Sequence, residues 1–511
     1  MTLIPCLNRY ADHPSTKYLR PEDLDRRINI LNKWWTGLLE MLNGKNSLSL
    51  TGTDRPVYLE AILAIMTRPE WRIPPFSHPS PMAPSLQQKQ GITATSNTSL
   101  ESTGSDFLLE SIHHNIRNIF AQNLLSQLAF CIDRMSKRHT PASLVPFCGK
   151  TCAYAFFYCP QVADMLVRVW NLSPDRIRRI ANRFTTDLSS RARVAEPEDM
   201  AANFPIPVRS LALASHAPLV RYLRRKTLGP LAASHIDWTG PWSSRWMGGD
   251  TELFFVFVKH FHVLVADFLP EGTNASSLVY VPGLIPVHAQ LLAVLENTLN
   301  KQSVSPPLDA MHGPTSVTFD DLIDGADAPA TTLPLGAANK YRTMSENRLI
   351  MLLRDFLRDS TIRPLTKQMF AESFCEISKL AARKTSLFNH SGCFVLCDFV
   401  EELISVVPPY CQSTGQPDLL DWDFWLEVCK QMLQSNNSVT EVRAFAFLFA
   451  VWDAVSTLDK HKERLCLHLL LEERLFYEYF THWSPMVRAY FHRLLCWRLA
   501  RHDGEKSELD T

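Results

Sequence analysis

Val442-Arg443-Ala444-Phe445, with Trp452 seven residues beyond the phenylalanine, recurs as Val487-Arg488-Ala489-Tyr490, with Trp497 seven residues beyond the tyrosine. The copies stand 45 residues apart, and each follows a helix-start signal, Thr440 in the first and Ser484-Pro485 in the second. A period of about 40–47 residues suits paired antiparallel helices of the HEAT or armadillo kind. A helix pair with one wide apolar face cannot bury it alone, whereas stacked neighbours bury it between them. The phenylalanines and tryptophans would fill those interfaces. The arginine after each valine can either hydrogen-bond an adjacent turn or stand in solvent. Pro207-Val208-Arg209 and Leu219-Val220-Arg221-Tyr222 echo the pattern too faintly to count as copies.

Outward from this pair, apolar periodicity predicts helices over 345–359, 364–383, 393–407, 421–434, 440–457, 460–482 and 484–501. Residues 341–501 therefore read as a C-terminal helical-repeat domain, with 502–511 as a polar tail. Before it, 301–340 carries Pro306, Pro307, Pro314, Pro329 and Pro334 and reads as a linker or long loop. Residues 107–300 read as a central helical domain. Its clearest element, 107–138, aligns Ile112, Ile116, Ile119, Leu124, Leu128, Ile132 and Met135 on one face. Residues 151–170 are apolar and aromatic, and Ser173-Pro174-Asp175 reads as N-cap, first-turn proline and first-turn acid. Further helices are expected over 251–269, behind Thr251 as N-cap, and over 285–300.

The proline- and Ser/Thr-rich stretch 74–106 has too little apolar surface to offset chain entropy and is expected to be a disordered loop. Residues 1–73 form an N-terminal helical segment, its first stripe running through Leu24, Ile28, Leu31, Trp35, Leu38, Leu39 and Leu42. Residues 277–281 are the one short strand candidate. The fold class expected is all-α, a HEAT/armadillo-like helical solenoid or an irregular helical array with long disordered loops.

The 511 residues are 46% hydrophobic and 20% charged, a globular composition, and 52 Lys+Arg balance 52 Asp+Glu. A net charge of zero argues against a dedicated nucleic-acid binder. Only 18 glycines leave little scope for phosphate-cradling loops. The N-terminus lacks the basic-then-apolar pattern of a signal peptide. No apolar run reaches the roughly 18 residues needed to span a bilayer, because Lys259, His260, His262 and Asp267 interrupt the best stretch. The 12 dispersed cysteines read as buried thiols in a reducing cytosol.

No Gly-rich phosphate loop, HExxH or nucleophile elbow occurs, so the chain is expected not to be an enzyme and to need no cofactor or metal. Cys148, Cys152 and Cys159 lack the paired spacing of a zinc site, and Cys393 and Cys397, one helical turn apart, allow metal binding, but both groups read as buried structural thiols. His260 and His262 diverge on a helix. Two features remain as candidate interaction surfaces. One is the basic cluster of Arg221, Arg224 and Arg225, which faces either solvent or an anionic partner. The other is Trp238, Trp242, Arg245 and Trp246, tryptophans at four-residue spacing around a Gly-Pro turn. That run is either an aromatic clamp docking the turn on the core or an exposed binding surface.

Residues 207–270, with Trp246-Met247-Gly248-Gly249-Asp250, and 440–501, with His482-Trp483-Ser484-Pro485-Met486 leading into the second motif copy, resemble a conserved fungal family of unknown function. The resemblance covers about 110–501. The family has been labelled a membrane-protein group and carries no catalytic motif, so it implies no active-site residue. One member is associated with signal-recognition-particle-independent targeting of proteins to the endoplasmic reticulum. The resemblance implies a cytoplasmic helical scaffold or adaptor that binds clients, ribosomes or trafficking components. Peripheral contact with the endoplasmic reticulum membrane would extend that role, and neither nucleic acid nor a small-molecule substrate is expected. The competing readings are a peripheral membrane protein and an enzyme with a dispersed site.

Overall fold

A computed structural model describes residues 3–9, 19–43, 55–72, 99–185, 197–301 (apart from 214, 228, 250, 271 and 274) and 344–500. The described residues are all helical, without a strand. Contacts divide the chain into two units, Met1–Gln290 and Leu291–Thr511.

In the first unit, the near-continuous apolar run Leu144–Tyr158 (α5) has almost every residue buried. A helix apolar all round needs neighbours on every side. It finds Ser99–Ser136 (α4), Leu253–Phe268 (α11) and Arg55–Met66 (α3). The approach to α11 is close at Gly149, where an added Cβ would lie 2.6 Å from Val256 Cβ. Pro21–Asn43 (α2) lays its apolar stripe, including Ile28, Trp35 and Leu39, against α4. A buried polar chain ties these helices together. Trp35 Nε1 donates to Gln127 Oε1 at 2.8 Å, and Gln127 Nε2 donates to Thr151 Oγ1 at 2.6 Å. Thr151 in turn donates to the Phe147 carbonyl at 2.8 Å. Every member is satisfied, which is the condition for a polar group to be tolerated in a core.

In the second unit, alternate helices pack one on the next: Arg348–Arg358 (α13), His390–Thr414 (α15), Ser438–Val455 (α17) and Pro485–Leu494 (α20). Pro364–Ala382 (α14), Trp422–Leu433 (α16), Asp459–Leu465 (α18) and Glu473–Phe480 (α19) lie between them in sequence. Polar bridges join residues at a recurring separation: Arg354–Glu402 (48 residues apart), Lys379–Asp421 (42), Arg443–Asp398 (45), Lys430–Glu472 (42) and Arg498–Asp453 (45).

Several expectations need correction. The stretch 74–106 is not loop to its end, because α4 begins at Ser99; extending a nucleated helix by one residue adds one bond at little further cost. Residues 74–98 of the first expected loop, 302–340 of the second and the tail 502–511 lie outside the described residues. The strand candidate 277–281 falls in a 3₁₀ turn, Ala275–Tyr280, since a lone apolar run has no ladder to join. Residues 460–482 are not one helix: α18 runs into a π turn at Cys466–Leu470, and α19 starts afresh at Glu473. The π turn closes with Leu471 N donating to Cys466 O at 2.8 Å. Conversely, α15 continues past 407 through Pro408 and Pro409 until Gly415, whose φ of +66° ends it. Thr251 Oγ1 accepts from Leu253 N at 3.4 Å, but the N-cap position itself is Glu252. Ser173 caps as expected, its Oγ accepting from Arg176 N at 3.3 Å, and Pro174 opens a helix to Thr185.

Candidate interaction surfaces

The tryptophan run serves the core. Trp242 and Trp246 are fully buried and Trp238 nearly so. Trp246 stacks on Trp170 at 5.4 Å and meets Phe257 edge-on at 4.6 Å. Each indole N–H of the inner pair finds a carbonyl, Trp246 Nε1 that of Leu166 and Trp242 Nε1 that of Asp237, both at 2.9 Å. Arg245 is likewise committed inward. Its Nη1 donates to Thr140 Oγ1 at 2.7 Å and its Nη2 to the Lys137 carbonyl at 2.8 Å, capping the C-terminal end of α4. Of the two readings of this run, the exposed binding surface is therefore the one corrected. Burying a ring of 150–250 Å² outweighs leaving it in water once its N–H is paired.

The basic cluster is placed differently. Arg221 and Arg224 close His216–Arg224 (α9), where cations complement the helix dipole, and with Arg225 they are exposed. Among the described residues no carboxylate pairs with any of the three. The turn that carries them is held from below. Arg168, itself paired with Asp164 at 3.1 Å, donates to the carbonyls of Tyr222 (3.0 Å), Arg225 (2.6 Å) and Leu223. Nearby in sequence, Leu231 is 92% exposed.

A further apolar surface had not been singled out from sequence. Tyr477 and Phe480 on α19, Trp483 in the following loop and Met486 at the start of α20 are all exposed, Trp483 by 79%. The loop is fixed rather than loosely attached. Arg488, from the second motif copy, donates to the carbonyls of Trp483 (3.3 Å) and His482. Arg443, at the same place in the first copy, does something else. It lies buried and bridges Asp398 Oδ1 at 2.5 Å and Glu401 Oε1 at 2.8 Å. An aromatic run such as 476–483 reads as core in any sequence scan; only the position of α19 shows which rings face out.

Two polar clusters in the first unit were also missed. Arg72, Lys150, Tyr154, Tyr158 and Asp267 gather where α5 meets α11. Arg72 Nη1 donates to Asp267 Oδ2 at 2.6 Å, and Nη2 donates to Tyr154 Oη at 2.9 Å. Burial and the Arg72 charge push the Lys150 amine down to about 8. Burial raises both phenols, so they remain protonated donors. A lysine, Lys150, inside an otherwise apolar helix was the sequence signal available. The second cluster is a histidine pair. His262 lies not with His260 but against His288, Nε2 to Nε2 at 3.1 Å. Among the described residues no group of three or more His, Cys, Asp or Glu could hold a metal ion. Of the 12 cysteines read as buried thiols, nine are buried, whereas Cys6 and Cys496 are exposed and Cys466 is half-buried, since they lie on outward faces of their helices; burial raises the pKa values of Cys148, Cys152 and Cys159.

Among the described residues the architecture is that of an all-helical protein. Residues 374–499, within the second unit, match the model of a family described as a protein of unknown function (DUF1765). Over 499 residues the chain is 24% identical to a Schizosaccharomyces pombe protein described as a UPF0592 membrane protein. That alignment takes in 96% of this chain and 49% of the relative, so the chain spans about half the relative's length. Both matches support an uncharacterised fungal family as the chain's relatives. No solved structure matches it. Among the described residues no helix is long and apolar enough to cross a membrane.

Proposed function

We propose that this chain is a non-enzymatic helical scaffold that binds protein partners through apolar contacts at the α19–α20 hairpin. The observation that carries the reading is Trp483, its side chain exposed and its backbone carbonyl held by Arg488. A rigid aromatic side chain presented to solvent loses little entropy on binding and is the commonest kind of interface anchor. Bridges between residues 42–48 apart favour reading the second unit as a stack of equivalent helix pairs, which offers extended surfaces. The finer role, delivery of client proteins to the endoplasmic reticulum in the cytoplasm, follows from the family resemblance. Crosslinking mass spectrometry on the purified full chain tests it. Ribosomal or targeting components crosslinked to residues 473–490 are expected. Trp483→Ser with Tyr477→Ser is expected to weaken that capture by about 30-fold, the effect of losing roughly 2 kcal/mol at a hot spot. Recovery of metabolic enzymes alone, or capture unchanged in the variant, refutes it.

A second reading, peripheral membrane contact, is favoured by the unpaired cations Arg221, Arg224 and Arg225, with exposed Leu231 six residues further along the chain. Each cation near an anionic leaflet contributes about 1 kcal/mol. Arg224→Glu with Arg225→Glu is expected to abolish sedimentation with phosphatidylserine vesicles; binding that survives the reversal removes this reading.

A further inference from the structure

Lys150, Tyr154 and Tyr158 follow one another at four-residue steps, so all three lie on one face of α5. Arg72 reaches the same face from another part of the chain and is positioned firmly. It ends the turn Pro69–Trp71, its N–H bonded to the Pro69 carbonyl at 2.9 Å. The preceding Trp71 is buried, stacked on Phe120 at 5.2 Å with its N–H on the Ile65 carbonyl. Two cations are thereby brought to one place, with Asp267 bonded to Arg72 alone of the two.

Among the described residues Lys150 makes no ion pair and no hydrogen bond. Arg72 Nε and Tyr158 Oη are buried and have no hydrogen-bond partner. Buried donors are almost always satisfied in folded proteins, so two orphans beside an unpaired lysine call for an acceptor. The acceptor must carry negative charge, because the surroundings are net positive. It must be compact and offer several oxygens, because the donors come from a guanidinium edge, a phenol and an ammonium. The Arg72 side chain is 32% exposed, which leaves the cluster open to the surface on one side.

We propose that Arg72, Lys150 and Tyr158 form a binding site for a phosphate-sized oxyanion, with Tyr154 and Asp267 orienting the Arg72 guanidinium. The site is separate from the α19–α20 hairpin and from the basic turn of α9. The group bound belongs either to a soluble phosphate or to a lipid headgroup, and two probes distinguish them.

Thermal unfolding of the full chain is followed with inorganic phosphate against chloride at equal ionic strength, and binding to phosphatidic acid vesicles against phosphatidylcholine ones is measured alongside. The wild-type chain is expected to be stabilised by phosphate, to bind phosphatidic acid, or both, according to the source. Tyr158→Phe, which removes only the hydroxyl, and Lys150→Met are each expected to weaken the response about tenfold. Tyr158→Phe also keeps the test open if Lys150→Met fails to fold, since loss of an unpaired buried hydroxyl leaves the free protein as stable or more so. A wild-type chain that responds to neither probe, or a response that persists undiminished in Tyr158→Phe, overturns the proposal.

Discussion

Replacing Arg443 with methionine is expected to lower the unfolding free energy by about 3–5 kcal/mol, the usual cost of breaking a buried ion pair from one side. Arg443 is 2% exposed, and its Nη2 holds both Asp398 and Glu401. Methionine fills most of the space but leaves two largely buried acids facing each other. Glu401 is already raised by burial, with Arg443 pulling the other way. Without the guanidinium it must take up a proton or draw in water. Denaturant unfolding of the full chain measures the loss. Adding Asp398→Asn and Glu401→Gln to the methionine variant is expected to recover part of it, because the unpaired charges are then gone. If Arg443→Met unfolds like the wild type, the guanidinium is not what compensates those acids.

The second large effect is a loss of stability in mild acid. His262 Nδ1 lies 2.8 Å from the Val258 carbonyl, which can only accept, so Nδ1 carries the proton. Its Nε2 is then the acceptor for His288 Nε2–H, and His288 Nδ1 is left buried with a bare lone pair. A proton on His262 Nε2 would place two N–H groups head to head in a dry core. Burial, reinforced by Arg183, holds His262 down to about 4 and His288 well below its ordinary value. Both folded-state values lie below the unfolded value of about 6.5, so between these limits the unfolded chain binds more protons. Stability is therefore complete above about pH 6.5 and falls as pH drops toward 4. His262 alone contributes a loss of about 2 kcal/mol by pH 5 and about 3 by pH 4. Denaturant midpoints across pH 7 to 4.5 check this. Replacing both residues with glutamine is expected to flatten the profile. Resonances assigned to His262 or His288 that titrate near pH 6.5 in the folded protein would contradict it.

Much of the molecule was legible in the residues themselves. Most helices of the last third and the cap at Ser173 follow from 3.6-residue periodicity and local backbone chemistry, although 277–281 read as a strand candidate and 460–482 as a single helix. Both motif arginines stood out as well. What they do could not be read, because Arg443 and Arg488 share a tetrapeptide yet one holds acids about 45 residues back while the other holds its own preceding loop. The tryptophan run shows the same limit from the other side: spacing alone allowed a surface, and burial under Trp170 and Phe257 decided against it. Trp483 drew no structural reading of its own from the sequence, and only its 79% exposure marks it as surface.

The order of apolar and polar residues along the chain was enough to settle that it makes helices and roughly where they start and stop, since those choices depend on neighbours within a turn or two. Which face of a helix is covered depends on chain segments tens to hundreds of residues away. Only the tertiary structure could bring Arg72 to Lys150, 78 positions later, or set His262 against His288. Burial, and with it charge state and availability to a partner, belongs to the packed molecule.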